Sequence, residues 1–198
     1  MVKRLFDFFV SLIGLVILSP FFIVIGVLIK TDSSGPVFYL QERIGKDKRP
    51  FRLFKFRTMY VLADKQNAIT VGARDSRITA LGFYLRKYKL DELPQLINVL
   101  NGSMSLVGPR PELKKFTDLY SIEQQHVLSV SPGITDFASI AFRNENEMLE
   151  GKEDPIDFYI QEIMPQKLMI NLQYIREQSF FLDLKIILQT IFSIFRKA

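Results

Sequence analysis

Phe8-Phe-Val-Ser-Leu-Ile-Gly-Leu-Val-Ile-Leu-Ser-Pro20-Phe-Phe-Ile-Val-Ile-Gly-Val-Leu-Ile29 runs for 22 residues without a charge, with Lys3 and Arg4 before it and Lys30 after it. About 20 apolar residues cover a ~30 Å hydrocarbon core, so the segment reads as a membrane helix. It is too long for a secretory leader, and no small-x-small cleavage pattern follows Leu18. Ser19-Pro20 stands at its middle. Proline removes a backbone donor and kinks a helix, while the Ser19 hydroxyl can satisfy a freed carbonyl inside lipid. Each half would span ~16 Å at ~1.5 Å per residue, enough for one leaflet. Basic residues crowd both flanks: Lys3 and Arg4 on one, and Lys30, Arg43, Lys46, Lys48, Arg49 and Arg52 on the other. The positive-inside tendency places both flanks in the cytoplasm. A re-entrant helix-break-helix satisfies that and a single crossing does not; a kinked bitopic helix is the alternative. Asp7 follows Lys3 by four residues and Arg4 by three, a spacing that predicts charge pairing at the interface.

Outward from this segment, the 198 residues suffice for one domain with a sizeable core. Hydrophobic residues make up 48%, concentrated toward the two ends, and the net charge of +5 suits an anionic partner such as lipid headgroups or phosphates. Nucleic acid is not expected, because no zinc-finger, helix-turn-helix or RNP-like pattern accompanies the charge. There is no cysteine and a single histidine, His126. Thiol nucleophiles, disulfides and multi-histidine zinc sites are therefore excluded. No G-x-S-x-G elbow is present. Catalysis, if any, falls to carboxylates, Lys and Arg, with a hard metal ion as the fitting helper.

Val37–Ile44 and Phe51–Thr58 flank the polar turn Gly45–Pro50 and predict a small β-hairpin. Lys55 and Arg57 alternate with Phe54 and Phe56, which places both cations on one face, as a phosphate clamp or a solvated surface. Asp75–Gly82 reads as a loop leading into a helix. Within Asp91–Leu100, helical spacing lines up Leu93, Ile97 and Leu100 on one side and Asp91, Gln95 and Asn98 on another. Pro94 is tolerated only near the first turn, which puts Asp91 and Glu92 at the helix start, where carboxylates and phosphates are both favoured. By itself such a pair is more often a cap than a catalyst. Arg110 is held between Pro109 and Pro111, so its guanidinium is presented from a stiff loop suited to bidentate phosphate contact.

Lys3-Arg-Leu-Phe-Asp7, Ser19-Pro20, Gly35-Pro-Val-Phe38, Lys55-Phe-Arg-Thr-Met59, Asp75-Ser-Arg-Ile-Thr79, Leu85-Arg86, Leu90-Asp-Glu-Leu-Pro-Gln95, Asn98-Val-Leu100, Met104–Pro111 and Pro132-Gly-Ile-Thr135 occur in this order. Together with Phe181–Ile187 they closely resemble the bacterial sugar transferase family, the monotopic phosphoglycosyl transferases. The resemblance implies that Asp91 attacks the β-phosphate of a UDP-sugar and expels UMP, and that polyprenol (undecaprenyl) phosphate then attacks the phosphosugar-aspartate. It implies that Glu92, with Asp91, holds Mg²⁺, and that Arg86, Arg110, Lys55 and Arg57 meet phosphates or the uridine end. After Thr135 many members continue Gly-x-Ala-Gln-Val-x-Gly-Arg-Asn. Here Asp136-Phe-Ala-Ser-Ile-Ala-Phe-Arg-Asn144 stands instead, with Arg143-Asn144 as the surviving end and Arg143 a further substrate-binding candidate. A membrane-attached nucleotide-sugar or lipid-phosphate binding protein on the same fold is the alternative function, and a UDP-sugar pyrophosphate hydrolase a third.

From Phe180 to Lys197, Leu184, Ile187, Leu188, Ile191 and Phe195 form an apolar face, and Asp183, Thr190, Ser193 and Lys197 a polar one. The pattern predicts an interfacial amphipathic helix with Arg196 and Lys197 toward headgroups. The expected architecture is α+β and mainly helical: a re-entrant membrane segment over 1–30, then a catalytic domain over 31–198 on the cytoplasmic face of the bacterial inner membrane, in contact with membrane lipids. The acidic stretch 144–167, the sugar and the oligomeric state are not legible.

Overall fold

The computed structural model describes residues 2–61, 72 and 75–195, with backbone only for Ile194 and Phe195. The element order is α1 (Val2–Asp32), β1 (Phe38–Ile44), β2 (Pro50–Phe56), α2 (Ala80–Lys87), α3 (Gln95–Asn101), β3 (Ser105–Val107), α4 (Lys114–Thr117), β4 (Gly133–Thr135), α5 (Phe137–Ala141), α6 (Glu145–Met148), α7 (Pro155–Phe158), α8 (Met164–Glu177) and α9 (Phe180–Phe195). The chain is mainly helical with little sheet, as the sequence predicts. β1 and β2 form the expected hairpin, antiparallel from Phe38↔Phe56 to Ile44↔Pro50. β3 and β4 pair in parallel. They lie so close that a Cβ on Gly133 would stand 2.1 Å from the Gly108 nitrogen, so only glycine fits there.

α1 is one 31-residue helix that continues through Pro20, long and apolar enough to cross a membrane, about 46 Å at ~1.5 Å per residue. The Ser19 hydroxyl donates at 2.8 Å to the Val16 carbonyl, the one that Pro20, without an N–H, leaves unmet. Both ends of α1 pack on the rest of the protein, while Ile13, Val16, Ile17, Ile23 and Val24 between them are exposed. At the first end, Lys3 Nζ reaches the Val107 carbonyl at 2.9 Å and Asp183 at 2.5 Å, and Arg4 donates to the carbonyls of Val99 and Leu100. Asp7 departs from expectation. It is buried and accepts from Ser105 Oγ at 2.7 Å and from the Leu106 amide at 3.2 Å, whereas Lys3 and Arg4 find the partners just named. The unpaired strand-edge donor at Leu106 outcompetes a flexible surface pair, because an unmet buried N–H costs more than a surface ion pair contributes. At the other end, Ile25 and Ile29 join Phe56 and Leu85 in an apolar cluster.

A second cluster around Val99, Met104, Val107, Tyr174 and Ile186 forms the centre of the fold, and a third binds α8 to the loops before it through Phe116, Tyr159, Ile163 and Leu168. α9 carries the polar and apolar faces seen in its sequence, and the fold decides what each one meets. Asp183 and Ile186 are buried, Thr190 bonds the Thr135 hydroxyl at 2.6 Å, and the Tyr174 hydroxyl donates to Asp183 at 2.6 Å. The polar stripe therefore turns inward. Phe181, Leu188, Ile191 and Phe192 point outward, with Phe181 82% and Phe192 72% exposed. Polar groups can be buried this way because each finds a hydrogen-bond partner, and that frees the apolar stripe for another surface. Arg196, Lys197 and the side chain of Phe195 lie outside the described residues.

Candidate functional site

Thr79 starts α2: its hydroxyl accepts from the Gly82 amide at 3.0 Å. A Cβ on Gly82 would sit 2.1 Å from the Thr58 carbonyl, so glycine lets the helix press onto the end of the hairpin. After α2, Lys89 adopts φ 57°, a left-handed turn that folds the chain back into a tight Leu90–Glu92 turn. Leu90 packs into the cluster at the far end of α1. Asp91 and Glu92 thus occupy a 3₁₀ turn, and α3 starts only at Gln95, with Pro94 as its N-cap. The pair sits one turn ahead of α3 and not in its first turn as the sequence pattern predicts, because Pro94 cannot donate to a longer ladder.

Asn98 locks α3 to β2. Its Oδ1 accepts from the Phe54 amide at 2.9 Å, and its Nδ2 donates to the Arg52 carbonyl at 2.8 Å. This sets Lys55 beside the turn, where its ammonium donates to Glu92 Oε1 at 3.2 Å. Arg110 arrives from the loop after β3 and grips the same carboxylate with a fork, Nη1 to Oε2 at 3.0 Å and Nη2 to Oε1. Burial alone would raise Glu92, but the Arg110 and Lys55 charges outweigh it and hold the carboxyl well below its ordinary range. Arg110 is correspondingly raised, first by Glu92.

Asp91 is in the opposite condition. It is 6% exposed and its Oδ1 has no hydrogen-bond partner among the described residues. Burial pushes its carboxyl up; Lys55 pulls against the rise and the Glu92 charge adds to it. Lys55 is itself lowered, chiefly by burial. Arg86 on α2 adds an attractive charge toward Asp91 and is half-buried. Gln95, 1% exposed, likewise leaves its Nε2 unpartnered. Neighbouring carboxylates whose surroundings push them apart divide the labour: Glu92 is an ionised anchor for cations, Asp91 the more basic and less satisfied group.

The structure brings together Asp91, Glu92, Lys55, Arg86 and Arg110. It does not bring Arg57 and Arg143 to them. Arg57 is 5% exposed and donates to Pro36 O, Ser33 Oγ, Ser33 O and Ile29 O at 2.6, 2.7, 2.8 and 3.4 Å, which ties the end of α1 to the hairpin. It lies just past the last residue of β2, so strand alternation with Lys55 no longer governs its direction. Arg143 is exposed and donates to the Ser193 carbonyl on α9. As for a divalent ion, no cluster of three or more His, Cys, Asp or Glu exists among the described residues. Asp91 offers a free oxygen, whereas both oxygens of Glu92 are held by Arg110 and Lys55. Mg²⁺ commonly takes one or two carboxylates plus substrate phosphate oxygens, so Asp91 fits that role and Glu92 in this arrangement does not.

Sequence reasoning missed a second charge cluster next to Arg110. Glu112 accepts from the Tyr159 hydroxyl at 2.6 Å, meets Arg43 at 3.4 Å and lies 3.6 Å from Lys167, which also donates to Glu145 at 2.8 Å. Arg43 and Lys167 together hold Glu112 ionised against its burial. The only hint was Glu112 directly following Pro111; Lys167 carries no local signal, since it is brought in by α8. Through Glu145, Tyr159 and Lys167 the unassigned stretch 144–167 is fastened to the Arg110 loop.

The family model described as bacterial sugar transferase matches residues 1–197. A UDP-glucose:undecaprenyl-phosphate glucose-1-phosphate transferase of Klebsiella pneumoniae is 42% identical over 194 residues, covering 96% of this chain and 39% of that protein. A UDP-N-acetylgalactosamine-undecaprenyl-phosphate N-acetylgalactosaminephosphotransferase of Aeromonas hydrophila is 36% identical over 196 residues, covering 96% of this chain and 43% of the relative. The exopolysaccharide production protein ExoY of Rhizobium meliloti (strain 1021) is 33% identical over 206 residues, with 96% of this chain and 84% of ExoY covered. The chain spans about two-fifths of the length of the first two relatives.

Proposed function

The chain belongs to the bacterial sugar transferase family, and from that premise we propose that it moves a sugar-1-phosphate from a UDP-sugar to undecaprenyl phosphate. The observation that carries the reading is the Asp91–Glu92 turn: a buried carboxylate with an unpartnered oxygen beside one locked by Arg110 and Lys55. Asp91 attacks the β-phosphorus of the donor; the bond to the bridging oxygen breaks and UMP leaves with that electron pair. The phosphosugar-aspartate is then attacked by an oxygen of undecaprenyl phosphate, which gives the lipid diphosphate sugar and returns Asp91. Phosphoryl transfer needs positioning and charge neutralisation above all. Arg110 and Lys55 supply fixed positive charge next to the nucleophile, and Arg86 a further one from α2. Were a divalent ion such as Mg²⁺ bound, Asp91 would be the residue to hold it, and the ion would supply charge neutralisation at the diphosphate. The relatives quoted are named for different sugars, so the family resemblance leaves the donor sugar open.

The same reading places the protein on a membrane, with 1–30 re-entering the bilayer and 31–198 forming the domain on the cytoplasmic face. In support, both ends of α1 hold to one body of the protein. A helix straddling the bilayer would send its ends to opposite faces, and one body could hold both only by entering the hydrocarbon itself. The foot of α1 meets the start of α9, where the half-buried Phe6 and Phe180 rings lie 5.2 Å apart edge to face, and each helix carries exposed apolar residues of its own. These apolar faces are suited to lipid.

The test is UMP release from a panel of UDP-sugars with Mg²⁺, with and without undecaprenyl phosphate. Lipid-dependent turnover of UMP from one donor supports the transferase, with at most one UMP per enzyme released before lipid is added; sustained UMP turnover without lipid indicates a hydrolase, and no UMP from any donor a binding protein. Cysteines placed at Val2 and Asp47 label from the same side of sealed vesicles if α1 re-enters, and from opposite sides if it crosses.

A further inference from the structure

Asp136 is 0% exposed. Its carboxylate caps α5 by accepting from the Ser139 amide, and its other oxygen accepts from the Arg110 amide at 2.9 Å. Pro109 and Pro111 have no N–H, so the Arg110 amide is the one backbone donor of that three-residue loop. Asp136 takes it. The rest of the loop is fastened nearby: Gly108 N donates to the Thr135 carbonyl at 3.0 Å, Gly133 N to the Pro109 carbonyl at 3.0 Å, and Arg43 to the Pro111 carbonyl at 3.1 Å. The only freedom left to Arg110 is its side chain, which reaches Glu92.

A helix cap alone does not call for a carboxylate here. Asparagine caps about as well as aspartate, and a fully buried charge costs solvation that an amide would not. What a carboxylate adds is a stronger, charge-assisted bond to the Arg110 amide and a negative charge behind the guanidinium. Asp136 acts attractively on Arg110, as Glu92 does. It is also the first residue of the stretch that leaves the common family pattern.

We propose that Asp136 is a positioning residue: its buried carboxylate fixes the Arg110 loop so that the guanidinium stays aimed at Glu92 and at the donor's diphosphate. The proposal rests on the transferase reading for the identity of the donor, but its geometry does not.

The experiment compares wild type with Asp136→Asn and Asp136→Ser, both of which retain a capping side chain, each alone and in an Arg110→Lys background. UDP affinity is read by calorimetry, KM for donor and acceptor by UMP release, and folding by thermal melting. In Asp136→Asn, UDP affinity is expected to weaken and donor KM to rise, each about tenfold, the range of one charge-assisted contact. Acceptor KM should stay at the wild-type level, and the melting temperature should fall by a few degrees with the protein still folded, since one buried amide loses its carboxylate acceptor. In the Arg110→Lys background the same substitution should have little further effect, because the group it positions is gone. Undiminished UDP affinity in a folded Asp136→Asn or Asp136→Ser protein overturns the proposal. So does a full tenfold effect that persists with Arg110→Lys, since Asp136 then acts independently of Arg110. If wild type binds UDP but releases no UMP, the reaction fails and the affinity comparison still decides the role of Asp136.

Discussion

At the foot of α1, Asp7 is 3% exposed and both of its oxygens accept hydrogen bonds, one from Ser105 and one from Leu106. Beside it Asp183 takes Lys3 and the Tyr174 hydroxyl. In the turn before α3, Asp91 is 6% exposed, yet one oxygen has no partner and its carboxyl is pushed up by burial. Burial is nearly equal in the two places; satisfaction is not. A buried carboxylate with its bonds filled is a fastener: Asp7 fixes the start of α1 to β3, and Asp183 fixes it to α9 through Lys3. One left short of bonds is strained in free energy and is available to something that arrives. Natural proteins tolerate such a deficit mainly where function needs it.

The largest expected break between the two regions is in activity. Asp91→Asn should lower UMP release by about a thousandfold or more, the scale of losing a covalent nucleophile. Asp7→Ala should leave turnover per folded molecule within a few-fold of wild type. Near wild-type turnover of Asp91→Asn would end its assignment as nucleophile.

Stability should reverse that order. Asp7→Ala strands the Leu106 amide and Ser105 hydroxyl and should destabilise by about 2 to 3 kcal/mol, read as a lower melting temperature in detergent. An unchanged melting temperature would mean that the α1 foot is not held by Asp7.

A finer separation comes from pH. Because Glu92 is depressed in the folded state, its stabilisation is present above the ordinary glutamate pKa and is lost as pH falls through the folded value. Asp91 is raised, so ionising it costs stability above its folded value, and that cost disappears as pH falls and it protonates. Glu92→Gln should therefore lower the melting temperature at neutral pH, and Asp91→Asn should raise it, with both differences shrinking in acid. Melting curves of the two variants across pH check this, and shifts of the same sign would contradict the division of roles. The smallest effect is expected from Lys3→Met. Its ammonium is 29% exposed and Asp183 keeps Tyr174, so solvent screening should limit the loss to about 1 kcal/mol in the same melting experiment.

The sequence by itself determined a good deal. An uncharged run of 22 residues dictates a long apolar helix, because no polar group interrupts its burial or its insertion in lipid. Two strand-like runs around Gly45–Pro50 dictate the hairpin, since the turn residues and alternation act locally. The Asp-Glu pair and the proline-flanked Arg110 were legible as candidates from short-range chemistry alone.

Tertiary structure decided everything that depends on residues far apart in the chain. Arg57 was indistinguishable from Lys55 by pattern, and only the approach of α1 shows that its donors belong to Ser33, Pro36 and Ile29. The two faces of α9 were legible from periodicity, but hydrophobicity could not foresee that Thr135, Tyr174 and Lys3 would arrive to satisfy its polar stripe. Glu112, Lys167 and Asp136 were silent in the sequence for the same reason. A hydrogen bond or ion pair between groups 26 or 55 residues apart leaves no local periodicity, and whether a buried charge is a fastener or a reagent depends on which partners the fold brings to it.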